Sequence, residues 1–567
     1  MESPQLPPSM KRPAIVYGDK TPTILETTLG HLLDELSDIH RDKAAVEFPW
    51  QSIRRTYSEL AKTSKLVAIS LLSAGLCHGD RIGILTGNRY EFLDVFLAAA
   101  RIGCPAVILQ SNMSPGEMKA AVLKSGCKLL FIAPPPGSTP LSKYMDLLSF
   151  PLHSVSPIQQ IILLQDMGDL RGRAGIQSYQ HFLLGADNHS ILKSAQQAVQ
   201  PSDILCLMFT SGTTGNPKAA VLTHRNVVNN SHFFSRACDF EQSDIICSPL
   251  PLCHSFGLVS AFLCSFMRGC LILFPTEKFS ADAVVDVLQN RDVTVIYGVP
   301  TMFFAVLEKL QGRGHKPRSM VKAIAGGAPV PYALITQICQ DMGVQYFLNG
   351  YGMTETSPAT FISPLGLCSE SSLRTIGKVL PHTNARIVDR WGRTVQQGEK
   401  GELCISGLPL QKGYWEDEEK TSEIMTRDAD GVIWLHTGDE AVIGEDDHCT
   451  ITGRIKDIII RGGLNISPVE IEERLILHPF IQEASVVGLP DKTRGEIVGC
   501  FLKQYVDMQR PSDEAVRAWV RELLGWHKAP EAIFWIGDAG IGEDFPKTAS
   551  GKHQKEKLKD IGTYLLA

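Results

Sequence analysis

The segment Thr210-Ser211-Gly212-Thr213-Thr214-Gly215-Asn216-Pro217-Lys218 carries the densest chemistry in the chain. Its hydroxyls and backbone N–H groups can wrap phosphate oxygens, and Lys218 adds a positive charge. It directly follows the apolar run Ile204 to Phe209, so a strand would hold one end of the loop. A Walker A loop is excluded, because Pro217 stands where its last glycine is needed and Ala219 where a Ser or Thr is needed. From these residues alone, a solvated Ser/Thr/Gly loop is the plain alternative. The 14 Cys are scattered, with no C-x-x-C pair and no Cys/His quartet at metal spacing, and read as reduced intracellular thiols packed as small apolar residues.

The elements that must position this loop alternate in type. Arg81 to Thr86 reads as a strand, Asn88 to Gly103 as a helix, Ala106 to Leu109 as a strand, Ser114 to Gly126 as a helix, and Leu129 to Ile132 as a strand. Phe92, Leu93, Phe96, Leu97 and Ala100 share one helical face, and Ser114 with Glu117 forms a capping box. The alternation resumes at Ile204 to Phe209, Val293 to Tyr297 and Val321 to Ala325. Parallel neighbours need a crossover, so this is an α/β protein with mostly parallel sheets covered by helices. From Gly377 the texture becomes short strands and turns, at Ala385 to Asp389, Gly401 to Ile405 and Val432 to Trp434, which predicts a small β-rich subdomain. Ser467-Pro468-Val469-Glu470 predicts an N-cap, a Pro at the first helical position and a capping Glu, opening a compact α+β unit.

At 567 residues the chain is long enough for several structural units with large cores. Its net charge of −6 gives no general attraction to nucleic acid, and no nucleic-acid partner is expected. The longest apolar stretch begins at Ser255, and Arg268 interrupts it too early for a transmembrane segment. There is no secretory h-region at the N-terminus, and the final Tyr564-Leu565-Leu566-Ala567 is not a Ser-Lys-Leu type of address. A soluble, cytoplasmic protein is expected; a peroxisomal one would need a signal that the chain does not clearly carry, since Ile24-Leu25 to His31-Leu32 has only part of the required spacing.

Further along stand Gly326-Gly327-Ala328-Pro329, Tyr351-Gly352-Met353-Thr354-Glu355, Thr437-Gly438-Asp439, Gly453-Arg454-Ile455-Lys456-Asp457 and Pro546-Lys547-Thr548-Ala549-Ser550-Gly551-Lys552. Together with the Thr210–Lys218 loop, and in this order, they resemble the signatures of the adenylate-forming superfamily. That superfamily includes acyl-CoA synthetases, aryl-CoA ligases, beetle luciferases and the adenylation domains of peptide synthetases. The resemblance runs from Thr27 to the end, and its nearest look-alikes are fungal specialised-metabolism and medium-chain acyl-CoA ligases, with the mevalonyl-CoA ligases of siderophore pathways as a further match.

The resemblance implies an N-terminal AMP-binding domain over residues 1–454, of which 377–454 form the β-rich subdomain, and a mobile C-terminal lid over 455–567 that rotates between half-reactions. It implies an acid–thiol ligase that uses ATP, Mg²⁺ and coenzyme A: a carboxylic acid and ATP give acyl-AMP and pyrophosphate, and CoA then gives acyl-CoA and AMP. The acid would be a fatty, medium-chain or hydroxy acid. Thr210, Ser211, Gly212, Thr213, Thr214, Gly215 and Lys218 would hold phosphates, Thr354 would bond the α-phosphate, and Glu355 would be the Mg²⁺ ligand. A metal on phosphates usually takes only one or two protein carboxylates. Gly327, Ala328 and Pro329 would border the adenine, Asn349, Gly350, Tyr351 and Gly352 would bind the nucleotide and extend the wall of the acid pocket, and Asp439 with Arg454 would meet the ribose. Lys552 would serve adenylation, reaching the reacting carboxylate and the α-phosphate together. Lys456 matches the hinge. Arg461, Gly462 and Gly463 would line the pantetheine route, although Gly462-Gly463 also reads simply as a turn. His254, Tyr297 and Gly298 would wall the acid pocket, with a packed core histidine as the other reading of His254.

Activation of an amino acid needs a buried carboxylate for the ammonium group, and Pro251 to Leu258 contains none. An aryl-acid adenylating enzyme or a luciferase-like oxygenase would share every motif named. A catalytically silent nucleotide-binding regulator would be expected to have lost Lys552 or Glu355, and both are present. Ala219 departs from the family's usual glycine after the loop lysine. The oligomeric state is not legible.

Overall fold

The computed structural model describes residues 12–134, 140–148, 157–165, 170, 173–184, 189–210, 218–314, 316–366, 375–505, 508–548 and 551–566. Two large sheets carry the N-terminal part. The first runs, edge to edge, Lys218–Thr223, Ile204–Thr210, Ala106–Leu109, Arg81–Thr86, Cys127–Ala133, Gln160–Leu163 and Ile176–Ser178. Only its first pair is antiparallel. The second has nine strands, with Tyr346–Gly352, Lys322–Gly326, Val295–Gly298, Ile245–Cys247, Leu271–Leu273 and Ala44–Phe48 parallel in its middle.

Strand periodicity of two sorts these residues into layers. Ile82 and Ile84 face the central core while Leu85 faces an outer one, and Ala106 and Ile108 part from Val107 and Leu109 in the same way. The central core collects side chains from both sheets and from the helices Leu29–His40, Tyr57–Ser73 and Tyr90–Arg101 between them. Strands buried on both faces therefore read as continuous apolar runs. The expected amphipathic helix after Asn88 becomes Tyr90–Arg101 and is buried from Glu91 to Arg101 on every side, because it is sandwiched between layers. Its polar residues are paired instead of solvated: Arg101 bonds Asp34 at 2.9 Å and Ser64 at 2.8 Å, and Asp94 accepts from Tyr179 at 3.2 Å. The capping box of Ser114 and Glu117 is formed in both directions at the head of Pro115–Ser125.

A six-stranded sheet follows, built on Thr383–Val388, Gly401–Gly407 and Ile433–Ile443. Its longest strand runs beyond the predicted end at Trp434, through Thr437-Gly438-Asp439 to Ile443, before Cys449–Arg454 pairs with it. Ile455–Asp457 is a single 3-10 turn leading to a five-stranded sheet that begins at Ile459–Arg461. The helix predicted at Ser467 is Pro468–Ile476, but its cap differs from expectation. The Ser467 hydroxyl donates to Thr452 O at 2.6 Å instead of capping, and Glu470 pairs with Lys528. The cap residue is spent on a tie across the turn between the two parts of the chain. No disulfide joins the described cysteines, and no helix among the described residues is long and apolar enough to cross a membrane.

Candidate active site

The carboxyl ends of the parallel strands in the second sheet bring glycines together: Gly326 pairs with Gly350, and Gly298 pairs with Ala325 one residue earlier. Open α/β sheets present ligand sites at this edge. A Cβ at Gly326 would meet Gly350 O at 2.5 Å, so only glycine lets these two backbones approach. Gly327 follows with φ +80, Ala328 is half-buried and Pro329 is exposed. Asn349 is buried, its N–H donating to Ser363 Oγ at 2.8 Å and its Nδ2 to Thr375 O at 3.3 Å.

Asp439 and Arg454 oppose each other across an antiparallel pair, and Arg454 Nε donates to Asp439 Oδ1 at 3.2 Å. Tyr351 donates its hydroxyl to Asp439 Oδ2 at 2.6 Å. A carboxylate held from two sides keeps lone pairs for hydroxyl donors, which is the chemistry of a ribose diol.

Thr354 and Glu355 sit in a single 3-10 turn, Thr354–Thr356. The Thr354 hydroxyl lies 3.3 Å from Ser255 Oγ. Glu355 is 6% exposed, and its Oε1 accepts from Tyr414 OH at 2.7 Å. Burial and the Glu355 carboxylate push the Tyr414 phenol far above its ordinary range, so it remains a donor. Lys218 Nζ stands 5.3 Å from the Tyr414 ring centre. Ser211, Gly212, Thr213, Thr214 and Gly215 lie outside the described residues, as does the side chain of Thr210.

Lys552 reaches this corner from the C-terminal part of the chain. Its Cε would lie 3.5 Å from a Cβ placed on Gly327. Burial and the neighbouring Arg454 lower its pKa to about 8, against the opposing pull of Asp439 and Glu355. The loop carrying it is closed by Thr548 N to Lys552 O at 2.8 Å and Lys552 N to Thr548 Oγ1 at 3.1 Å. It is docked by Thr301 Oγ1, which donates to Gly551 O at 3.0 Å. Gly551 has φ +85, and a Cβ there would stand 3.0 Å from that same Thr301 oxygen. At the loop's base, buried Glu483 binds Lys547 at 3.1 Å and His553 at 3.2 Å. Burial raises the Glu483 pKa, but His553 and Lys547 outweigh it and hold the carboxyl at about 2.

His254 follows a turn clamped by Asn88, which accepts from Leu252 N at 2.7 Å and donates to Leu250 O at 3.0 Å. Burial, then Lys552, drives the His254 pKa down to about 3, so the ring is neutral at pH 7. Its Nδ1 accepts from Phe256 N at 3.2 Å, which assigns the remaining proton to Nε2. Behind it, Phe256 meets Tyr297 edge-on at 5.7 Å, and Tyr297 donates to Ser260 O at 2.6 Å. Ser260 belongs to the π-helix Phe256–Leu263, which the apolar stretch beginning at Ser255 forms.

Residues 33–415 match the family model described as AMP-binding enzyme. The chain belongs to this family. Residues 470–552 match the model described as AMP-binding enzyme C-terminal domain. Among curated relatives, the acyl-CoA ligase cnsG of Penicillium expansum is 85% identical over the whole of both chains. The acyl-CoA ligase sidI of Aspergillus fumigatus is 42% identical over 98% of this chain and 94% of its own. A solved anthranilate CoA ligase, AuaEII in complex with anthranoyl-AMP, shares the fold with a TM-score of 0.83, at 22% identity over 96% of this chain and 98% of its own.

In this AMP-binding enzyme, Lys456 is exposed in the 3-10 turn Ile455–Asp457. Gly462 and Gly463 form the turn of the hairpin Ile459–Arg461 with Leu464–Ile466, with φ +55 and +83, a pair of values that primed hairpin turns require. Arg461 is buried and committed to Glu531 at 2.6 Å and to His527 O, so its guanidinium is held within the C-terminal sheet. Sequence reasoning missed Ser255, Tyr414, Thr301 and Glu483. Tyr414 and Glu355 are 59 residues apart, and Thr301 and Gly551 250 apart, and only tertiary folding joins them.

Proposed function

We propose that this chain is an AMP-forming acid–CoA ligase whose nucleotide corner is the one assembled by Asp439, Arg454, Thr354, Glu355 and Lys552. The carrying observation is that Lys552 arrives from the C-terminal part of the chain beside Gly327, where Glu355, Asp439 and Arg454 all act on its charge. The acyl-CoA ligases among its relatives match end to end.

In the first half-reaction a carboxylate oxygen attacks the α-phosphorus of ATP, the bond to the bridging oxygen of the β-phosphate breaks, and pyrophosphate leaves. Two anions must meet, so the site has to screen them. The Lys552 ammonium spans both, and the Thr354 hydroxyl donates to an α-phosphate oxygen. Asp439 takes the ribose hydroxyls with Arg454 fixing its other edge. Neutral His254 offers Nε2–H to an oxygen at the acid end without adding charge. In the second half-reaction the thiol of CoA attacks the acyl carbonyl, the thiol proton is released and AMP departs. Lys552 then has to leave, by breaking the Thr301–Gly551 contact and turning about Lys456.

Glu355 fits a Mg²⁺ ligand on its donor chemistry: it is a buried carboxylate with Oε1 fixed by Tyr414. The ion would supply charge neutralisation on the phosphates. The acid is fatty, medium-chain or hydroxylated rather than an amino acid: by resemblance His254, Tyr297 and Gly298 wall its pocket, and no carboxylate stands in Pro251 to Leu258 to hold an ammonium group. A medium-chain acyl-CoA ligase of Danio rerio, 33% identical over 96% of this chain, supports this range.

The test is Lys552→Ala assayed in each half-reaction. Adenylation, read as pyrophosphate exchange, should fall by about 10² or more, while thioester formation from supplied acyl-AMP falls far less. Equal loss in both refutes the assignment.

A further inference from the structure

A carboxylate outside every motif discussed so far touches the ribose corner from behind. Glu402 lies on the strand Gly401–Gly407, beside the strand Ile433–Ile443 that carries Thr437-Gly438-Asp439. Its Oε1 accepts from the backbone N–H of Gly438 at 3.0 Å, and its Oε2 pairs with His436 Nδ1 at 2.8 Å. The carboxylate therefore holds the two residues flanking Thr437. The turn is closed further by Thr437 Oγ1, which donates to Leu403 O at 2.8 Å and accepts from Asp439 N at 3.1 Å. Gly438 stands at φ +71, and a Cβ added there would meet nothing within 4 Å, so glycine is required by backbone conformation and not by crowding. A glycine in that region is the most freely rotating point of the strand, and it immediately precedes Asp439.

We infer that Glu402, seconded by His436, is a positioning residue that pins the Gly438 peptide and so aims the Asp439 carboxylate at the ribose. The inference rests on the ribose role proposed for Asp439. A charged acceptor is the stronger type of hydrogen-bond partner for a peptide N–H, and a small misplacement of a binding group is enough to lose much of its effect. His436 also faces Thr426 Oγ1 at 3.2 Å and Cys404 Sγ at 3.4 Å. The donor atoms of Glu402, Cys404 and His436 lie within 4.8 Å of one another. The 2.8 Å contact of His436 with Glu402 is nevertheless a hydrogen-bond length, and the other carboxylate oxygen is already taken by Gly438, so these groups serve as a buttress and not as a metal centre.

The test crosses the variant with the ligand. Pyrophosphate exchange is measured for the full chain, for Glu402→Ala and for Glu402→Gln, each with ATP and with 2′,3′-dideoxy-ATP, which lacks the ribose hydroxyls. Glu402→Ala should lose about tenfold in kcat/KM for ATP but change by less than about twofold with the dideoxy nucleotide. Glu402→Gln keeps an oxygen for Gly438 N–H and should recover most of the loss. An equal penalty on both nucleotides would show a merely structural role and overturn the inference. Should Glu402→Ala not fold, Thr437→Val removes the second tie of the same turn and must show the same ribose-dependent penalty, or the inference fails. Asp439→Ala serves as the reference: if its own penalty is equal on both nucleotides, the ribose assignment itself is wrong and the inference falls with it. If Asp439→Ala discriminates the nucleotides and Glu402→Ala does not, the inference alone is refuted.

Discussion

With Lys552 as the proposed adenylation lysine, its titration sets the pH dependence of the first half-reaction. Burial and Arg454 bring its pKa from 10.5 to about 8, and only the ammonium form can screen a carboxylate from an α-phosphate. At pH 7 about nine-tenths of the free enzyme carries that charge, and at pH 9 about one-tenth does. The kcat/KM of acid-dependent pyrophosphate exchange should therefore fall about tenfold between those two pH values, along a single descending limb near pH 8. Bound ATP adds negative charge beside the lysine, so the limb in kcat should move to higher pH. Lys552→Arg keeps a charge that does not titrate in this range and should retain some exchange with no limb at all. Thioester formation from supplied acyl-AMP should lack this limb, since the role proposed for the lysine ends with adenylation. A linkage effect runs alongside. The folded-state pKa lies below the unfolded one, so between about pH 8 and 10.5 the unfolded chain binds more protons at this group, and its contribution to stability rises with pH. Lys552→Ala should thus unfold at no lower a temperature than the parent at pH 7, which separates lost catalysis from lost fold. A limb that persists in Lys552→Arg, or one that lies above pH 10 in kcat/KM, refutes the reasoning.

Three further outcomes follow from the geometry. Lys456→Pro should restrict the turn Ile455–Asp457 and slow CoA-dependent AMP release far more than exchange, and equal slowing of both would contradict a hinge there. Gly551→Ala forces a side-chain carbon to 3.0 Å from Thr301 Oγ1 at φ +85; exchange should drop about tenfold or more while thioester formation from acyl-AMP is nearly preserved. Tyr414→Phe removes the donor to Glu355 Oε1, and a Mg²⁺ titration of exchange should shift its midpoint by severalfold, whereas an unchanged midpoint would separate Glu355 from the metal.

Much of the scaffold is legible in the sequence because burial on both faces writes strands as apolar runs, as Ala106–Leu109 shows. The Asp439–Arg454 pair was likewise readable from adjacent motifs, since a two-strand register brings them opposite. What was not legible is contact between elements remote in the chain. Nothing in the local pattern says that Tyr414 serves Glu355, that Thr301 docks Gly551, or that Ser467 spends its hydroxyl on Thr452 in place of its own helix. The all-round burial of Tyr90–Arg101 was hidden for a related reason: Asp94 and Arg101 mark a solvated face by type, and only their tertiary partners make the interior tolerable to them. Glu402 belongs to no motif, because a carboxylate that bonds a backbone N–H leaves no pattern in the sequence.

In the proposed reaction a carboxylic acid is activated at this nucleotide corner and then passed to CoA. Its most direct test is acid-dependent ATP–pyrophosphate exchange across short, medium-chain and hydroxylated carboxylic acids and an amino-acid set, with AMP release read in the presence and absence of CoA. Exchange is expected with one class of ammonium-free acids, together with AMP release that depends on CoA. Exchange confined to amino acids, exchange with no CoA-dependent turnover, or no exchange with any acid would contradict it.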